Sequence, residues 1–205
     1  MRLVLVSDTH CRHRFEVPDG DFLLHAGDLT VHGSLADVRH FNRWLQELPH
    51  RHKVVIAGNH DFCFERELEA ARALITAAHY LQDEALELEG IKLYGSPWQP
   101  RFCDWAFNLD RGPALARVWA KIPEDTDVLI THGPPLGHGD RTFDGRPVGC
   151  ADLKERLKIV RPRLHLFGHI HEGYGVTRDE HTTYVNASIC DLRYQPVHEP
   201  VVFDW

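Results

Sequence analysis

Asp8-Thr9-His10 and His169-Ile170-His171 each place two metal-binding side chains two residues apart. In extended backbone, residues i and i+2 face the same side, so each pair can grip one ion. Asp28 adds a carboxylate whose two oxygens can bridge two ions, Asn59 a neutral carbonyl oxygen, and His132 a further imidazole. Oxygen and imidazole without thiolate suit manganese, iron, zinc, nickel or cobalt rather than a structural zinc site built on cysteine. Two divalent ions carry four positive charges, against two negative ones from Asp8 and Asp28. The surplus can hold a hydroxide and an anionic phosphate. Metals about 3.5–4 Å apart activate water and clamp phosphorus oxygens, so this chemistry is phosphate-ester cleavage.

Such residues need elements that bring them together. Each group follows a short apolar run: Leu3 to Val6 before Asp8, Phe22 to Leu24 before Asp28, Val54 to Ala57 before Asn59, Val128 to Ile130 before His132, and Leu164 to Phe167 before His169. Short continuous apolar runs read as strands buried on both faces. Between them lie helical patterns. Leu35, Val38, Phe41, Leu45 and Leu48 share one face of a helix over Ser34 to Leu48, capped by Ser34, with Asp37 in its first turn and Pro49 as its stop. Further helices are expected over Glu65 to His79, Pro113 to Ile122 and Ala151 to Val160. Thr182 to Val185 and Val201 to Phe203 read as strands, so the sheet is expected to be mixed. Strands alternating with helices indicate an α/β domain. In open α/β sheets the carboxyl ends of the strands carry the ligand, so the five polar clusters are expected on one rim.

The blocks D-x-H, Gly27-Asp28, Gly58-Asn59-His60-Asp61, Thr131-His132-Gly133 and Gly168-His169-Ile170-His171, in this order, resemble the signature of the calcineurin-like metallophosphoesterase superfamily. The match runs from Asp8 to His171. Ile56 to His60, Thr131 to Gly137 and His171 to Gly175 further resemble its small metallophosphoesterase-domain-containing branch, which is associated with cyclic-nucleotide phosphodiesterase activity. The resemblance implies two mixed β-sheets packed as a sandwich flanked by helices. It also implies one metal held by Asp8, His10, Asp28 and His171, a second held by Asp28, Asn59, His132 and His169, and His60 as the general acid that contacts phosphate. The superfamily's phosphoprotein phosphatases carry GDxVDRG, where this chain has Val31 and His32 in place of the second Asp and the Arg. That departure disfavours protein phosphatase activity and leaves His32 or Asp61 as candidates to orient His60.

The 205 residues are expected to form one domain, and the net charge of −7 does not support binding to a nucleic-acid duplex through a broadly basic surface. The apolar run at Leu3 is too short for a leader or a membrane span, and the five cysteines are never spaced as CxxC, which together suggest a reduced, cytoplasmic setting. Of the 16 histidines, His50, His52 and His198 read as surface residues. His25 and His165 read as core histidines, and His138 as part of an exposed loop. Trp98, Phe102, Trp105 and Phe107 read as core or cover, with a base-stacking wall as the sharper alternative. The expected activity is two-metal hydrolysis of phosphodiesters, cyclic nucleotides or similar. A phosphomonoesterase acting on a small phosphorylated metabolite and a metal-loaded scaffold without turnover remain open alternatives.

Overall fold

A computed structural model describes residues 1–205. The elements follow in order as β1 (Arg2–Val6), β2 (Phe22–His25), α1 (Leu35–Glu47), β3 (His52–Val55), α2 (Phe62–Arg66), α3 (Leu68–Leu74), β4 (His79–Tyr80), β5 (Glu84–Leu88) and β6 (Ile91–Ser96). The chain continues through β7 (Gln99–Pro100), β8 (Asn108–Leu109), α4 (Pro113–Trp119), β9 (Val128–Thr131), α5 (Ala151–Val160) and β10 (Leu164–Phe167). A 3-10 turn (His171–Gly173), β11 (Gly175–Arg178), β12 (Thr183–Asn186) and β13 (Val201–Asp204) complete it. No helix is long and apolar enough to cross a membrane.

Two mixed sheets stack face to face. The first runs β13-β1-β2-β3-β4, with β13 alone antiparallel to its neighbour. The second runs β11-β12-β10-β9-β6-β5, with its parallel centre flanked by antiparallel β11 and β5. The apolar runs alternate between two destinations, as period-2 geometry requires. Leu3, Leu5, Phe22, Leu24 and Val54 meet Val128, Ile130, Leu164, Leu166 and Val185 between the sheets. Val4, Val6, Leu23 and Val55 turn outward beneath Val38, Phe41 and Leu45 of α1. Leu129 and Phe167 turn to the opposite side, under α4 and α5, against Leu115, Leu153 and Leu157. The result is a four-layer sandwich with helices outside. Beyond the strands, Ser7 N donates to Ala187 O at 2.9 Å and Ile189 N to Ser7 O at 2.9 Å, stitching the two sheets together where the strands end.

Helix α1 and helix α5 lie where periodicity places them, and Ser34 accepts from Asp37 N at the start of α1. The single helix expected over Glu65 to His79 is instead two short ones, α2 and α3, broken at Glu67 (φ −136°, ψ 46°), and the chain then joins the first sheet as β4. Strand β3 ends at Val55, although Ile56 and Ala57 remain buried, and α4 stops at Trp119 rather than Ile122.

Candidate metal centre

The turns after five strands meet at one end of the sandwich. Asp8 N donates to Gly27 O at 2.9 Å, His10 N to Asp28 O at 3.0 Å and Gly168 N to His132 O at 2.9 Å, so the turns are joined by main chain as well as by side chains. The extended geometry expected for D-x-H and H-x-H is not what forms. Asp8 (φ 53°), His10 (φ 42°), Asp28 (φ 55°) and His169 (φ 68°) all adopt left-handed backbone, so the chain coils at these four residues. Asp8 and His10 still bring their ligand atoms together, within 4.8 Å in one group with His171, whereas His169 and His171 part to different neighbours. His171 Nε2 lies 3.4 Å from Asp8 Oδ1, and His10 Nε2 lies 3.7 Å from Asp28 Oδ2, whereas the His169 ring stands 5.1 Å from that of His132. Two glycines permit this approach. A Cβ on Gly168 would run into the Asp8 carboxylate and the Ser7 hydroxyl, and one on Gly58 into Asp28.

Four imidazoles are oriented in one way. Nδ1 of His10 faces Thr30 O (3.2 Å), that of His60 faces Val31 O (2.8 Å), that of His132 faces Ala26 O (2.9 Å) and that of His171 faces Asp191 O (2.9 Å). A carbonyl only accepts, so each Nδ1 donates, and Nε2 of each ring is left facing the centre. The partner of His60 is thus the Val31 main chain, not His32 or Asp61. His32 is exposed. Asp61 accepts from Leu29 N, Thr30 N, the Thr30 hydroxyl and Gly58 N at 2.8–3.1 Å, fastening the Asp28 turn to the Asn59 turn. Burial, together with the charge of Asp28, pushes its carboxyl up to about 6.

Ligand-type atoms crowd within 4.8 Å of one another in three overlapping groups: Asp8, His10 and His171; His10, Asp28 and His60; and Asp8, Asp28 and His132. His132 Nε2 also meets Asn59 Oδ1 at 2.8 Å, so Asn59 points at the same centre. His169 is outside these groups, though its N–H donates to both Asp8 oxygens at 3.1 Å. Burial would lower the His171 pKa, but the Asp8 carboxylate outweighs it and raises it to about 9. His10 goes the other way: burial outweighs Asp28 and Asp8 and pushes it down to about 4, so its contact with Asp28 is not an ion pair at neutral pH. Burial likewise pushes His169 down to about 3. Burial alone would raise both Asp8 and Asp28, yet the surrounding histidines hold both below the usual carboxylate range. The donor set fits a cation. His10 Nε2 is buried without any hydrogen-bond partner, a cost that a bound ion removes.

Beside the centre opens a cavity of about 370 Å³, with Asp28, Asn59 and His60 at its floor. The four aromatics expected to act together divide. Phe107 is fully buried and Trp98 packs against the same core, whereas Phe102 and Trp105 line the cavity, with the Trp105 ring 4.1 Å from that of His60. Phe143 and Tyr194 complete the wall; neither stands out by pattern, because both sit in coil. Ser188 also escapes sequence reasoning, although its hydroxyl donates to Asp8 Oδ2 at 2.8 Å. His25 and His165 are core residues as expected, hydrogen-bonded to Thr9 and Thr131. His138 is not a free loop residue, since it stacks on Tyr184 at 3.7 Å, and His50 is buried and donates to Pro18 O.

Comparison with known proteins gives a family and a fold. The family model described as calcineurin-like phosphoesterase matches residues 1–173. The human metallophosphoesterase domain-containing protein 1 is 47% identical over 229 residues, covering 99% of this chain and 70% of that protein. A Synechococcus protein named probable cyclic nucleotide phosphodiesterase is 27% identical over 75% of this chain and 59% of its own length. The crystal structure of TT1561 from Thermus thermophilus aligns with a TM-score of 0.60, covering 90% of this chain and 88% of that one at 16% identity, and so shares the fold.

Proposed function

The chain belongs to the calcineurin-like phosphoesterase family, which marks it as a metal-dependent phosphoester hydrolase, and from that premise we propose that it cleaves phosphodiesters at a two-metal centre. Cyclic nucleotides or similar small diesters are the favoured substrates. The observation that carries the two-metal reading is the placement of Asp28. Its Oδ1 faces His132 at 3.5 Å and its Oδ2 faces His10 at 3.7 Å, one oxygen toward each side of the centre. Asp8, His10, Asp28 and His171 would hold one ion, and Asp28, Asn59, His132 and His169 the other. Ions bound there would supply Lewis acidity toward phosphoryl oxygens and lower the pKa of the attacking water.

The chain's own residues supply the rest. His60 has Nδ1 committed to Val31 O, and its Nε2 opens toward the cavity, 3.9 Å from Asp28 Oδ2. That placement suits it to protonate the leaving oxygen. Trp105 packs against the ring, tilted 37° to it. Arg146 is the one arginine on the cavity wall, which holds no lysine, and its Nε is paired with Asp144 at 2.6 Å. A wall so poor in free positive charge supports the singly charged diester over the doubly charged monoester. The name of the Synechococcus relative agrees with that preference.

The test is hydrolysis of bis-p-nitrophenyl phosphate and of p-nitrophenyl phosphate with added Mn²⁺, for the wild type and D28N. Metal-dependent diester cleavage is expected, falling in D28N beyond the 10–100-fold loss typical of outer-shell metal partners, roughly a hundredfold or more. A preference for the monoester would replace the diester reading with a phosphatase. Absence of turnover with any divalent ion would replace it with a metal-binding scaffold.

A further inference from the structure

The coil after β12 reaches the centre twice. Asp191 O holds His171 Nδ1, and three residues later Tyr194 turns its ring into the cavity. The turn is built to do this. Asp191 Oδ1 accepts from Arg193 N at 2.8 Å and Gln195 N at 2.9 Å, Tyr194 N donates to Asp191 O at 2.9 Å, and Cys190 bridges to Pro196. Inside it Tyr194 sits at φ 55°, a left-handed conformation that bulky residues rarely adopt. Strained backbone of this kind persists where surrounding structure enforces it, and it concentrates at functional sites.

The enforced conformation sets the ring 4.6 Å from that of His10 and 5.7 Å from that of His60. The hydroxyl stands 3.5 Å from His60 Nε2 and makes no shorter hydrogen bond. A ring needed for packing alone would not require a hydroxyl aimed beside the proposed general acid. The phosphoryl group also needs donors. With Nε of Arg146 paired to Asp144, a non-bridging oxygen turned away from the ions finds neutral groups as its nearest donors on the cavity wall. Two donors at the separation of Tyr194 and His60 can reach two oxygens of one phosphoryl group.

We propose that Tyr194 is a catalytic residue whose phenolic O–H donates to a non-bridging phosphoryl oxygen while His60 serves the leaving oxygen. The proposal rests on the phosphoesterase reading of the same site. The phenol keeps its proton throughout, and no bond to it forms or breaks. A neutral donor of this kind matches a monoanionic phosphate.

The test compares wild type with Y194F, which keeps the ring and removes only the hydroxyl. Metal content and thermal unfolding serve as controls for the fold. Binding of inorganic phosphate to the metal-loaded protein, read by calorimetry, is expected to weaken about tenfold or more in Y194F. Diester kcat/KM is expected to fall about ten- to a hundredfold, by a similar factor for good and poor leaving groups. Retention of phosphate affinity within about twofold in Y194F overturns the proposal, whatever the turnover. A loss of rate confined to poor leaving groups also overturns it, since the hydroxyl would then act on the leaving oxygen. The diester assay on the wild type judges the phosphoesterase reading alone, and phosphate binding judges the tyrosine without any turnover.

Discussion

Asp8, His10, Asp28 and His169 share a backbone conformation that costs non-glycine residues about 1–3 kcal/mol each. Asp, Asn and His enter it more readily than other side chains, so these residue types serve both as candidate ligands and as the corners that the turns need. Residue types and their order were legible in the sequence. Their directions were not, because the handedness of a turn is set by what the next turn donates to it. The same limit explains His60. Its partner is a main-chain carbonyl of Val31, and a search for side chains points to His32 and Asp61 instead. Gly168 offers a sharp test at this scale. In G168A the new methyl meets the Asp8 carboxylate and Ser7, so the variant is expected to lose about 1–3 kcal/mol of stability and to bind less metal than the wild type. Denaturant unfolding and elemental analysis of the purified variant check both, and unchanged metal content would show that Asp8 has room to move.

Helix α1 was readable from end to end because its signals are local: an apolar face, the Ser34 cap and a proline after the last turn. Removing the cap in S34A is expected to cost about 1 kcal/mol, measured as a lower urea midpoint with unchanged slope. The stretch after Asp61 was misread because its decisive contacts come from elsewhere in the chain. Glu65 accepts from Phe107 N at 2.7 Å, Arg72 forks onto Glu84 at 2.6 and 2.7 Å, and Asn42 of α1 takes Thr76 N and Ala77 N at 2.9 and 3.0 Å. These partners break the helical period at Glu67 and turn the chain into β4. The hairpin of β5 and β6 carries only a faint alternation, with Leu86 and Leu88 half-buried and Ala85 and Glu87 exposed. The aromatic segment around Trp98 divides for a similar reason. Its two ends enter the core, and the middle is left to line the cavity.

Across the whole molecule, buried histidines tie stability to pH. Burial pushes His25 and His165 down to about 3, from an ordinary value of 6.5. His25 Nδ1 also accepts from Gly27 N at 3.2 Å, a contact that the neutral ring makes. The unfolded chain takes up these protons below about 6.5 and the folded one only near 3, so stability is full above 6.5 and is lost as pH falls through that window. The slope is up to about 1.4 kcal/mol per pH unit for each histidine. His171, raised to about 9, contributes with the opposite sign between 6.5 and 9. Chemical unfolding of the metal-free protein at pH 7 and pH 5 is expected to show lower stability at pH 5. H165Q should flatten that dependence, and an unchanged slope would show that His165 is not among its sources. At the same scale, Asp8 is held by the His169 amide and the Ser188 hydroxyl, 161 and 180 positions further along the chain. On a ribosome, at about 5–20 residues per second, the aspartate emerges roughly 8 to 36 seconds before the partners that complete its surroundings. Strand β13, which completes the first sheet, follows both partners in the chain. The surroundings of Asp8 therefore close only once the second sheet has docked, and a complete ligand set for a metal exists only in the finished fold.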